Sequence, residues 1–301
     1  MTKRNFFWSI CLFLMLGVGL AQADDVKLKP FILASKTNGD MAATVAQVKQ
    51  KLTAAGFEVV GSYSPYDTAT ILVVTNDALK QDAAQTDFGA FGAAQRVTVT
   101  KAGGELQVAY TNPVYMANVY QMKGDLAPVA AALKSALGDQ GEYGPDKGLT
   151  ADDLRDYHYK WLMPYFSDRL KLASYGSYDK AVQAVEAGLA AGKGGVSKVY
   201  RIDIPGKQTT VFGVHMTDDC SGDKYIMDRI DFKPTKSTGH LPYEMVVKGD
   251  TVYALPAEFR IAISFPDLSM MGSNSFASIM CAPSAIQKAL TAAAGGSMSN
   301  N

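Results

Sequence analysis

The chain has 301 residues, 29 Lys and Arg against 29 Asp and Glu, 48% hydrophobic residues, 27 Gly, 12 Pro and three Cys. This is ordinary globular composition, which excludes disordered, collagenous and disulfide-scaffold classes. The balanced charge supplies no basic surface for nucleic acid.

The N-terminus carries an export signature. Lys3 and Arg4 form a positive region, Phe6 to Leu20 is apolar, and Ala21-Gln22-Ala23 reads as a cleavage triplet. Cleavage after Ala23 removes two cations and leaves 27 against 29 acidic residues, a net charge of −2. The apolar run is short for a spanning helix, and no later stretch is apolar enough to cross a bilayer. Cys11 lies inside the run rather than after the triplet, which argues against a lipoprotein. The expected compartment is a bacterial periplasm, with full secretion the lesser option.

From there the elements appear in one order, twice. Phe31 to Ser35 reads as a strand, and Met41 to Ala55 as a helix with Val45, Val48 and Leu52 on one face. Gly56 is its natural cap. Phe57–Tyr63 and Thr70–Thr75 are strand-like runs split by Ser64-Pro65-Tyr66-Asp67. Arg96 to Thr100 alternates strictly and turns through Gly103-Gly104 into Leu106–Tyr110, a hairpin expected to bury one face. A closing helix covers Leu126 to Leu137.

The second copy opens at Leu170 to Ser174. Its helix places Val182, Val185 and Leu189 at a constant offset of 137 from Val45, Val48 and Leu52. Strands are expected at Val199–Ile202 and Thr210–Val214. A hairpin at Lys248-Gly249-Asp250 leads to Phe259–Phe265, and a final helix covers Ala282–Ala293. Residues 218–242 read as an insertion with an extra strand over Tyr225 to Ile230. The expected division is a signal peptide at 1–23, a first domain at 24–140, a linker and aromatic helix at 141–167, and a divergent second domain at 168–301.

The first copy resembles the domain-of-unknown-function family 302 (DUF302). The resemblance rests on Val48-Lys49-Gln50-Lys51-Leu52-Thr53-Ala54-Ala55-Gly56-Phe57, on the paired strands, and on Tyr110-Thr111-Asn112-Pro113-Val114-Tyr115-Met116-Ala117. That last run is similar to the family's Asn/Asp-Pro-x-Tyr-Leu-Ala signature, with Met116 in place of Leu. The resemblance covers roughly 100 residues of the first half. It implies an α+β fold of strand, helix, four strands and helix, like half of the TATA-binding-protein architecture, with helices on one face of the sheet. The family has no established activity to lend. In the second copy Phe265 to Met270 stands where the signature is expected, without a Tyr.

Between the copies, Gly138–Gly148 reads as a linker. Thr150 then caps a predicted helix in which Leu154, Tyr157, His158, Trp161, Leu162 and Tyr165 form one stripe. This helix either joins the two copies or contacts a ligand through Trp161 and His158.

Catalytic motifs are scarce. There is no nucleophile elbow, phosphate loop, HExxH or CxxC. His158, His215 and His240 have no recognisable partners. The run from Thr217 to Asp223 is rich in oxygen ligands but lacks the spacing of a calcium loop, so it reads as turn chemistry. In an oxidising compartment Cys220 and Cys281 are expected to pair. The alternative is a soft-metal or haem-type redox protein using His215, Met216, Cys220 and Cys281. The function expected is therefore non-catalytic binding, with no cofactor. Tyr110, Asn112, Tyr115 and Trp161 are the candidate contacts for a small apolar ligand or a periplasmic protein segment. An enzyme is the third option.

Overall fold

The computed structural model describes residues 26–297; the signal sequence expected at residues 1–23 lies outside them. The fold is α+β, with two antiparallel sheets and their helices.

In the first half β1 (Phe31–Thr37) leads into α1 (Met41–Ala54). Asp40 caps α1 by accepting from Ala43 N–H, and Val48 and Leu52 are its buried residues. β2 (Glu58–Tyr66), β3 (Ala69–Thr75), α2 (Asp77–Gln85), β4 (Gln95–Ala102), β5 (Glu105–Thr111), α3 (Pro113–Val119) and α4 (Ala127–Leu137) follow. Glu142–Tyr143, inside the expected linker, forms β6 on the outer edge of β1. After α5 (Ala151–Arg155) the second half runs β7 (Leu170–Ser174), α6 (Tyr178–Ala190), β8 (Val196–Asp203), β9 (Thr209–Met216), α7 (Asp223–Ile230), β10 (Tyr243–Lys248), β11 (Thr251–Ala254), α8 (Ala257–Ser264) and α9 (Ala282–Ala293).

Among the described residues the two sheets share one strand order, β2-β3-β4-β5-β1-β6 and β8-β9-β10-β11-β7, with β6 added at the edge of the first. Irregularities recur in matching ladders. The first strand of each half slips against the last, at Leu33/Ser35 and at Val252/Tyr253. The second slips against the third, at Val59/Gly61 and Lys198/Tyr200. The buried helix residues Val48 and Leu52 also have counterparts in Val185 and Leu189.

Three expected elements are corrected. Tyr225–Ile230 is helical, because Ile226, Met227 and Ile230 form one buried face at helical spacing. The segment is not an insertion either: it occupies the place of α2, between the third and fourth strands of its half. Phe259–Phe265 lies largely in α8 rather than a strand, since β11 ends at Ala254 and Pro256 starts the helix. The second strand-to-helix junction is thus Leu255-Pro256-Ala257, and Phe259 follows its N-cap by three residues, as Tyr115 follows Asn112.

The expected aromatic helix stops at Arg155. Its stripe runs through Pro164, whose ring cannot sit inside a helix and restrains Met163 as well. Leu162 adopts a left-handed φ of 68°, and the chain from Tyr157 to Asp168 is irregular. It joins the halves all the same. Phe166 packs among Phe91, Tyr120 and Phe259, while Tyr157 donates to Ala262 O.

The β4–β5 hairpin buries both faces, not one. Val97, Val99, Leu106 and Val108 are buried, and so are Arg96, Thr98, Thr100, Gln107 and Thr111. The polar set is covered by the other half. Thr100 meets Thr238, and Gln107 donates to Pro234 O and accepts from Lys236 N–H. The cover is reciprocal. The turn Thr238–His240, between α7 and β10, lies on β3, β4 and β5, while Gly89–Gly92, between α2 and β4, lies on β9 and β10. Each half therefore closes the other's sheet with the segment joining its own third and fourth strands.

Candidate functional site

The closed sheet faces decide the first candidates. Tyr110 is buried and donates to Gly138 O. Asn112 caps α3, its side-chain oxygen accepting from Val114 and Tyr115 N–H while its amide donates to Lys29 O. Tyr115 is fully buried, and its hydroxyl donates to Ile263 O in α8 at 2.8 Å. Burial pushes its pKa well up, so the phenol stays neutral. These three residues hold a turn, a cap and the contact between halves. The structure places none of them on an open surface.

The proposed soft-metal set does not converge. Cys220 and Cys281 are bonded to each other, which leaves no thiolate, and Met216 is buried in the core. His215 stacks on Tyr63 with ring centroids 5.2 Å apart, and its Nε2 lies 3.9 Å from buried Asp223. The bond connects the short turn Asp219–Ser221 to the start of α9.

Sequence reasoning missed the buried charge at the junction. Arg96 of β4 and Arg260 of α8 both pair with Glu244 of β10, all three nearly inaccessible to solvent. Arg260 also donates to His240 O and Pro242 O. His240 Nδ1 lies 3.0 Å from Ser264 Oγ and its Nε2 3.0 Å from the Tyr243 hydroxyl. Burial, then Arg260 and Arg96, hold its pKa well below the usual value, so it is neutral. This cluster is closed to a substrate. It orders the seam between the halves.

Trp161 is placed differently. It is 84% exposed, beside Leu162 at 81% and Met280 at 80%, around an open concavity of about 860 Å³. The walls are the irregular segment, with Met163, Pro164 and Tyr165, and the N-terminal ends of α8 and α9, with Pro256 and Pro283. His158 stacks on Tyr165 at 4.4 Å between centroids. Two features anchor the backbone just after Trp161 and Leu162. Phe166 is buried just downstream, and Asp168 accepts from Tyr165 N–H at 2.9 Å. The groove presents an apolar and aromatic surface with polar groups at its margin, which is the chemistry of a binding site.

Among the described residues, no group of three or more His, Cys, Asp or Glu side chains is arranged to hold a metal, and no helix is long and apolar enough to cross a membrane. No family model, curated protein or solved structure matches this chain.

Proposed function

We propose that this chain is an exported, non-catalytic periplasmic binding protein that takes apolar groups of a ligand or protein segment into the Trp161 groove. The observation that carries this reading is the exposure of Trp161, Leu162 and Met280 around one concavity. Large apolar side chains gathered on a surface mark interaction sites, because covering them releases structured water. The leader signature supports export, and a Cys220–Cys281 pair suits an oxidising compartment.

The chain contains only two Trp, and Trp8 lies within the expected leader. In mature protein Trp161 is then the sole indole, and its emission reports the groove directly. Titration with an apolar naphthylamine dye should shift and quench that emission saturably. Replacing Met280 with Asp should weaken the dye several-fold, at the scale of one lost apolar contact. An emission that does not respond to dye, in protein whose melting curve is intact, would remove the groove from the proposal.

A further inference from the structure

A second depression adjoins the Trp161 groove. His158 also lines a second concavity of about 580 Å³, together with Asp152, Asp153, Asp156 and Pro266. Two open depressions thus share one side chain. Their charge is one-sided: Asp168 and Glu258 line the first, and Asp152, Asp153 and Asp156 the second, and among the described residues no Lys or Arg lines either. None of these five carboxylates forms an ion pair among the described residues.

The cations of the same segment are turned elsewhere. Arg155 donates to Asn118 Oδ1 and Met122 O, Lys160 sits over the Tyr159 ring, and Arg169 stacks on Phe88. Asp153 and Asp168 each accept a backbone N–H, which fixes their position and leaves their charge in place. An apolar groove that adjoins a depression lined by carboxylates without ion-pair partners complements a ligand that is apolar at one end and cationic at the other. Together the two depressions exceed a site for one compact small molecule, which favours an extended chain.

We propose that the two adjoining grooves dock a cationic amphipathic peptide segment of a partner protein. Its apolar side chains seat against Trp161, Leu162 and Met280, and its Lys or Arg side chains lie along Asp152, Asp156 and Glu258. The inference rests on the binding reading above and adds the occupant's charge and its polymeric form.

The test uses the mature chain and three probes, each read by Trp161 emission: a tryptophan-free peptide of alternating Leu and Lys, the same peptide with Glu for Lys, and the neutral naphthylamine dye. The Lys peptide should bind at least about tenfold more tightly than the Glu peptide. That preference should collapse as ionic strength rises from about 0.01 to 1 M, because the screening length shrinks from about 30 to 3 Å. The triple variant Asp152→Asn, Asp156→Asn, Glu258→Gln should erase the preference and leave dye binding unchanged. Equal binding of the two peptides would overturn the cationic occupant, and so would a response to the dye alone; both leave the apolar site standing. If no probe moves the emission, the site and its occupant fall together.

Discussion

The Tyr115 hydroxyl donates across the seam to Ile263 O, so its value lies in stability rather than recognition. Removing it strands a buried carbonyl, and Tyr115→Phe should cost about 1–2 kcal/mol in urea unfolding while leaving the Trp161 emission titration unchanged. Glu244 stands between two buried guanidinium groups, and Glu244→Ala leaves both uncompensated. The expected loss is about 3–5 kcal/mol, measured the same way. Asp231 adds a pH dependence. Burial raises its carboxyl from 3.8 to about 7, against the Ser237 N–H that favours the charged form. The folded state then holds this proton more tightly than the unfolded chain, so the group's contribution falls as pH rises from about 4 to 7, by at most about 1.4 kcal/mol per pH unit. Asp223, also raised by burial, acts in the same direction. His240, depressed by burial and by the two arginines, acts in the opposite one, with stability lost as pH falls below 6.5. Asp231→Asn isolates one contribution: its stability relative to wild type should be higher at pH 8 than at pH 4. An equal difference at both values would show that Asp231 does not titrate between them.

Among elements, the irregular segment after α5 has two roles that a continuous helix could not combine. Phe166 and Tyr157 point into the seam, while Trp161 and Leu162 point outward. Pro164 and the left-handed Leu162 separate these directions within a few residues. The segment before α7 is secured covalently. Cys220–Cys281 spans 61 residues, and on the chain-entropy view its loss releases the unfolded chain. Cys220→Ser with Cys281→Ser should lower stability by about 2–4 kcal/mol. Peptide mapping without reductant should recover the two cysteines joined in wild type.

Across the whole molecule, reciprocal cover makes the halves interdependent. Gly61 on β2 lies so close to β8 that an added Cβ would come within 2.6 Å of Val199 O. Backbone leaves little room to give, and Gly61→Val should cost about 1–3 kcal/mol through overpacking between the halves. Because the buried polar side chains of Arg96, Thr100 and Gln107 find their partners in the second half, the chain should unfold in a single transition by fluorescence and by circular dichroism. Two separated transitions would show that the halves are stable independently.

Periodicity in the sequence was sufficient for whatever depends on neighbours along the chain. Val48 and Leu52, with their counterparts Val185 and Leu189, place the two first helices, and Ala282–Ala293 is a helix with the expected bounds. Cysteine number and the expected compartment were enough to anticipate the Cys220–Cys281 pair. Short apolar runs were less legible. Tyr225–Ile230 and Phe259–Phe265 suit a buried strand or a buried helix equally well, and only packing on other elements selects the helix. The site was decided by tertiary structure for the same reason. Nothing local to Arg96-Val97-Thr98-Val99-Thr100 reveals that its polar face is covered by residues more than a hundred positions away. Tyr115 and Trp161 are both aromatic and both lie near a proline, yet one is sealed by α8 and the other left in solvent. Exposure is a property of what the rest of the chain covers, and local sequence does not encode it.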